Sequence, residues 1–436
     1  MTQPLRIGLA GLGTVGQSVV RLLDRHGARM AERAGREIEI VAVSARDRMR
    51  DRGINLDAVR WYDDPTQLAA DEDIDLFVEL IGGDEGPARA SVETALGVGK
   101  SVVTANKALL AKHGQTLAEL AEHHGADMRF EAAIAGGIPI VKTLREALAG
   151  NGITRVTGIL NGTCNYILSR MEDEGLAFDD CLRDAQALGY AEADPTFDIE
   201  GFDAAHKLAL LSSLAFGTRV SGETVYVEGI TAIRPVDFRM AADFGYRIKL
   251  LGVAQMIEGR LEQRVHPALV PEDRAIGGID GVTNAVEIEA DFVGDLLLTG
   301  PGAGGDATAS AVVGDIADLA EGQLEGGSPV FGMPTATMRA AEAAPMANHA
   351  ARYYLRLQAA DRIGAAAGIA TRMAERGISL ESIVQRHDLR SQDHGASVPV
   401  VLVTHGTTEA AVTAALRDID GDGHLVERPQ MIRIET

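Results

Sequence analysis

One stretch of the 436-residue chain concentrates groups able to bind a cation and move a proton. The run GYAEADPTFDIEGFDAAHK, residues 189 to 207, sets Glu192, Asp194, Asp198, Glu200 and Asp203 ahead of a single amine, Lys207, and leads straight into LALLSSLAF. Asp203 and Lys207 are four residues apart, so on a helix they share a face. Exposed, such a pair stabilises by only a few tenths of a kcal/mol. Yet His206, Lys207, Ser212 and Ser213 are the only polar residues from 204 to 216, and a helix apolar on nearly all sides is a buried one. Burial disfavours an ammonium and neighbouring carboxylates favour it. That opposition suits a lysine that trades a proton near neutral pH. Glu192 and Asp203, with Asp198 between them, would hold a substrate bearing an ammonium group.

A second pattern fits a dinucleotide. Gly11, Gly13 and Gly16, with Thr14 and Val15 between them, follow a strand-like run and precede a helical one. In that setting the glycines allow a tight turn and close approach of backbone amides to a pyrophosphate, and the helix start adds partial positive charge. The second strand ends in Ser44-Ala45-Arg46, with Arg48 close by and Asp47 beyond the expected strand exit. Arginine tolerates a 2′-phosphate, so NADP is expected over NAD, the alternative being that both arginines solvate a loop. Thr104 and Lys107 in TANK sit at the carboxyl end of another strand, where open α/β sheets place their ligands. Lys107 would reach the nicotinamide side of the cofactor or the substrate, or else begin the next helix as a surface lysine.

Elements must hold these groups. Strands are expected at 5–10, 38–44, 74–82, 100–107 and 128–134, with helices between them, 14 to 34 among these. Strands alternating with helices give βαβ units and a parallel sheet. The fold class is therefore α/β: a Rossmann-type dinucleotide-binding domain over residues 1–135, completed by about 300–322. An α+β catalytic, substrate and dimerisation domain with a mixed sheet follows over 136–299. Residues 323–347, rich in Gly, Pro and Ala, read as a linker. The tail, 348–436, repeats the order βαββαβ, a ferredoxin-like arrangement that resembles the ACT family of amino-acid-binding regulatory domains. A net charge of −22 argues against nucleic acid and anionic membrane surfaces as partners. Two cysteines, Cys164 and Cys181, make no disulfide framework. With no run of roughly 18 apolar residues, a cytoplasmic protein is expected.

Seven blocks in order carry a wider resemblance: GLGTVG, VELIGG (78 to 83), TANK, EAAIAGGIPI (131 to 140), NGTCNYIL (161 to 168), GYAEADP with GFDAAHK, and GAGGDATASAVVGD. Together they resemble the homoserine dehydrogenase family in its form with a C-terminal ACT domain. That resemblance implies reversible NAD(P)-dependent interconversion of L-aspartate 4-semialdehyde and L-homoserine. On the matched positions Lys207 would be the proton donor and acceptor, and Glu192 and Asp203 would bind the amino acid. Lys107 would stand at the cofactor–substrate junction, and Gly189, Gly302 and Gly304 would line the cofactor. It also implies a sodium ion on Glu131 and the carbonyls of Ile134, Gly136 and Ile138. Asp306 departs from the family's pattern beside the cofactor phosphates. L-Threonine is the expected effector, acting through paired ACT domains in a homodimer or homotetramer. Deleting residues after about 348 would then keep activity and abolish threonine inhibition. Two rival readings are a Cys164-dependent semialdehyde dehydrogenase and a non-catalytic sensor of NADP and an amino acid.

Overall fold

The computed structural model describes residues 3–322, 327–385 and 397–435. Its first sheet is parallel throughout, in the order β3-β2-β1-β4-β5-β6. These strands are β1 (Leu5–Ala10), β2 (Ile38–Ser44), β3 (Arg60–Tyr62), β4 (Leu76–Glu79), β5 (Ser101–Thr104) and β6 (Met128–Arg129). The near-continuous burial of β1, β4 and β5 marks strands covered on both faces. The Gly305–Ala320 helix returns to pack beside the Thr14–Ala34 helix, and its Val312 and Ile316 join Leu5, Leu9 and Val78 in one core. The strand expected over 128–134 stops at Arg129, and Ala132–Ala135 is a helical turn. The cause is local: the backbone N–H of Glu131 donates to Asp315, and Gly136 takes a φ of +56°.

The second sheet has 11 strands, nine of them in the order β12-β11-β7-β9-β10-β17-β13-β15-β14, with β8 beside β10 and β16 beside β13. The catalytic half comprises β7 (Ile153–Ile159), β8 (Tyr226–Val227), β9 (Tyr246–Ile257), β10 (Arg260–Pro271), β11 (Thr283–Ala290) and β12 (Gly294–Pro301). The tail adds β13 (Ala350–Ala360), β14 (Leu380–Val384), β15 (Ser397–Thr404), β16 (Thr407–Thr408) and β17 (Gln430–Ile434), with helices Ala365–Glu375 and Glu409–Gly421. The tail therefore has its βαββαβ order; the end of its second expected strand, at 386–387, lies outside the described residues. It is not a separate body. β17 pairs in parallel with β10, Ala268 opposite Arg433, so one sheet runs through both halves. Nor is the described part of 323–347 loose chain. Phe331 is buried against Phe130, Thr335 donates to Glu122, and Leu261 is bonded on either side to Glu342 and Ala344.

The Phe202–Phe216 helix lies on the face of this sheet, where Leu208 meets Gly252 of β9. Being apolar around almost its whole girth, it is buried from Asp203 to Leu214 apart from His206, and carries Lys207 in with it.

Candidate active site

Three elements converge on Asp203. Its position in the first turn of the Phe202–Phe216 helix puts Lys207 one turn further on, and Lys207 Nζ donates to Asp203 Oδ2 at 2.8 Å. Lys107 opens the Lys107–His124 helix, capped by Asn106, and its Nζ lies 2.8 Å from Asp203 Oδ1. The end of β7 supplies the rest: Leu160 O accepts from Lys207 Nζ at 2.7 Å, and Asn161 Nδ2 donates to Asp203 Oδ2 at 2.9 Å and to Asp198 Oδ1 at 2.8 Å. Lys207 is only 7% exposed and Asp203 4%. Flanking ammonium groups outweigh burial and hold the Asp203 carboxyl well below the usual range. Burial pushes Asp198 the other way, up, although Asn161 opposes it.

Asp203, Lys207, Lys107, Asn161 and Asp198 face a cavity of about 850 Å3 that runs past Gly189, Tyr190 and Glu192 to Gly302, Ala303 and Gly304. Glu192 is exposed on its wall, while Asp198 is half-buried. Both oxygens of Asp203 accept from protein donors, Lys107, Lys207 and Asn161, and Asp203, Asp198 and Glu192 all line the cavity.

Towards β1 the cavity reaches Val15 and Ile81, and a second, of about 440 Å3, is lined by Gly11, Gly13, Arg46, Asp47, Arg50 and Arg52. The glycines divide by cause. Gly11 has a φ of +101°, and a Cβ there would meet Leu80 O at 2.3 Å; one on Gly16 would meet Gly11 O at 2.0 Å. Those two are required by the fold. A Cβ on Gly13 would meet no protein atom, so its bareness matters only to what docks there, as a dinucleotide backbone does. Gly302 is forced by Asn284, 2.0 Å from its would-be Cβ, and Gly304, with φ +111°, caps the Gly305–Ala320 helix. Thr14 sits against Gly305, and Thr104 is turned away, fully buried, donating to Glu79 Oε2 at 2.6 Å. Glu79 also accepts the amides of Ile81 and Gly82, which shapes the cavity floor. Glu79 and Asn161 fall within the VELIGG and NGTCNYIL blocks, but no role was expected of either. Asp306 points away from the glycine loop, accepting from Ser18 Oγ at 2.7 Å and from Arg21.

Glu131 is buried, its carboxylate accepting the amides of Val141 and Lys142 at 2.8 and 2.9 Å. Asp315, equally buried, is pushed up to about 7 by desolvation, with the Glu131 charge adding to the rise. Ile134 reaches the main cavity. Gly136 packs on Gly302, and the Ile138 carbonyl accepts from Ile140 N at 2.8 Å. Among the described residues no three side chains of His, Cys, Asp or Glu form a metal cage.

The comparisons agree along the whole chain. Residues 11–131 match the model of the homoserine dehydrogenase NAD-binding domain, 139–317 that of homoserine dehydrogenase, and 353–421 that of the ACT domain. Homoserine dehydrogenases of Neisseria gonorrhoeae and Pseudomonas aeruginosa are 44% and 43% identical, over 100% and 99% of this chain and 99% of each relative. The chain belongs to the homoserine dehydrogenase family. A crystal structure of the homoserine dehydrogenase from Thiobacillus denitrificans superposes with a TM-score of 0.92 at 44% identity, covering 99% of this chain and 98% of that one. A hyperthermophilic archaeal homoserine dehydrogenase, solved in complex with NADPH, gives 0.62 at 29% identity over 73% of this chain and 98% of its own. Members of the homoserine dehydrogenase family are oxidoreductases acting on a CH–OH group with NAD(P), and both glycine-lined cavities fit that cofactor class. The cysteine rival loses its ground. Cys164 is fully buried, burial pushes its thiol well above the ordinary value, and its Sγ donates to Asp198 O. A nucleophilic thiolate needs the opposite setting. No helix among the described residues is long and apolar enough to cross a membrane.

Proposed function

We propose that this cavity interconverts L-aspartate 4-semialdehyde and L-homoserine, with Lys207 as the group that gives and takes the proton. The observation that carries the reading is the two-lysine bridge on Asp203, at a cavity continuous with the glycine loops. An ammonium has three donors. Lys207 uses two, on Leu160 O and Asp203 Oδ2, which leaves one for a substrate oxygen. A bound nicotinamide supplies hydride chemistry. Lys207 and Lys107 stabilise the charge that grows on the substrate oxygen, and Lys207 delivers a proton to it; in the reverse direction neutral Lys207 withdraws the hydroxyl proton. Asp198 and Glu192 orient the substrate through its ammonium group.

The test is Lys207→Met, assayed by oxidation of NADPH with the semialdehyde. Turnover is expected to fall about 100-fold or more, with the Kd for NADPH within twofold. Retention of a tenth of parental turnover defeats the assignment, and with it the active-site reading.

Finer expectations attach to the same site. NADP is favoured over NAD because Arg46, Arg50 and Arg52 all line the cavity at the end of β2. A monovalent cation at Glu131, with the carbonyls of Ile134, Gly136 and Ile138, fits a place where two buried carboxylates receive backbone amides. L-Threonine acting on the ACT half, and a homodimer or homotetramer, complete the reading. Steady-state rates with either dinucleotide, with and without threonine, examine the cofactor and effector together, and light scattering examines the assembly.

A further inference from the structure

The end of β7 does more than place one carbonyl. Asn161 caps the Gly162–Glu174 helix, its Oδ1 accepting from Cys164 N at 2.8 Å. That bond fixes which way the carboxamide faces, so its amino group must point back at the acids. The two N–H groups of Nδ2 are then used one each, on Asp198 Oδ1 and Asp203 Oδ2. Asn161 is 5% exposed, so no water shell substitutes for it. Gly162 makes the turn possible, since a Cβ there would meet Val282 O at 2.7 Å. Cys164 ties the same turn to Asp198 from the other side, through Asp198 O at 3.1 Å.

The two acids are not equivalent. Asp203 has three donors, from Lys107, Lys207 and Asn161; among the described residues no lysine or arginine pairs with Asp198. Like-charged carboxylates this near would turn apart, or one would take a proton. A neutral donor reaching both keeps them side by side without neutralising either. We propose that Asn161 is a positioning residue: its carboxamide spaces Asp198 from Asp203, so that Asp198 stays directed at the substrate's ammonium group while Asp203 remains committed to the two lysines. This deepens the proposed function and rests on it. The charged and titratable groups around Asn161 are Asp198, Glu200 and Glu192 from the 189–201 segment and Asp203, His206 and Lys207 from the following helix. Lys107 faces it from its own helix and Cys164 from the helix that Asn161 caps.

Two full-length variants test it. Asn161→Ala should raise the KM for L-homoserine about tenfold or more, while the KM for the dinucleotide stays within twofold. Asn161→Asp keeps a good helix cap but loses both N–H donors and sets a third carboxylate beside Asp198 and Asp203, so the KM for L-homoserine should rise about tenfold or more in this variant too, again with the KM for the dinucleotide within twofold. If either variant leaves the homoserine KM within twofold, the proposal is overturned. Loss of activity in Lys207→Met alongside either result would show that the fault lies with Asn161 and not with the active-site reading.

Discussion

At the scale of single residues, Asp203 carries a concentrated electrostatic load. It is a buried carboxylate between two ammonium groups, and removing it costs about 3–5 kcal/mol because Lys207 stays buried without its partner, while the half-buried Lys107 adds little. Its folded value lies below its unfolded one, so the stabilisation is fully present above about pH 4 and is lost as pH falls through the folded value. Asp203→Asn should therefore melt well below the parent at pH 7, and the gap should narrow at pH 3. A gap that is constant with pH would mean that packing, not charge, is what the substitution disturbs. Lys207 and Asp203 were legible from spacing alone, four apart at the head of an apolar helix. The partition of roles was not. Spacing reports which residues share a face but not that Asp203 also meets Lys107, nearly a hundred residues earlier. Asn161 was opaque for a related reason: a helix cap and a two-carboxylate bridge draw on the same residue type.

The elements show where periodicity informs and where it fails. β1, β2 and the Thr14–Ala34 helix were plain because each strand is a largely apolar run, broken only by Arg6 or Glu39 before its end, and the glycine loop separates β1 from the helix. β10 went unread because its buried face carries Glu262, Arg264 and His266, which in a sequence look like solvated surface. The 128–134 run looked like one strand, yet at Glu131 its chain folds over against the Gly305–Ala320 helix. That junction predicts a pH effect. Asp315 is raised to about 7 in the fold, so the preference for its protonated form is fully expressed below about pH 4 and is lost as pH rises through 7. At pH 8 the buried charge costs up to about 4 kcal/mol. Asp315→Asn, which can still accept the Glu131 amide, should melt above the parent at pH 8, by a margin that shrinks as pH falls and is gone at about pH 4. A cation seated on Glu131 would offset the same charge, so sodium chloride should narrow the difference at pH 8 and choline chloride should not. Equal melting of the two proteins at pH 8 in choline would refute the account.

Across the whole molecule, the tail behaves as part of the catalytic sheet, which changes what its removal should do. β17 occupies the edge of β10, and an open edge on a buried strand leaves its N–H and C=O groups without partners. Its last described residue, Glu435, accepts from Arg264 at 2.8 Å and pairs with Arg155, all three largely buried. Two residues earlier, on the same face, fully buried Arg433 is shared between Glu409 of the tail and Glu228 of the catalytic half. Glu228 begins the loop whose Ile230 N–H donates to Ile199 O, next to Asp198, so contacts run without a break from the tail's last helix to the cavity. An archaeal relative that covers only 73% of this chain accounts for 98% of its own length, so the family's catalytic fold exists without about a quarter of these residues. In this chain, however, cutting after 348 takes Glu435 away from Arg264 and Arg155, which keep Glu262 and the more distant Glu289, and it opens the edge of β10. Removing one partner from a buried ionic set costs up to about 3–5 kcal/mol, and each kcal/mol lowers Tm by roughly 2–4 °C at the size of such domains. The truncated protein is therefore expected to melt at least about 10 °C lower or to be insoluble, rather than to be an active enzyme merely freed from inhibition. Full-length Glu435→Gln should reproduce part of that loss while keeping the ACT half. A truncated chain melting within about 2 °C of the intact one would show that β10 tolerates an open edge, and that the tail is an attachment after all.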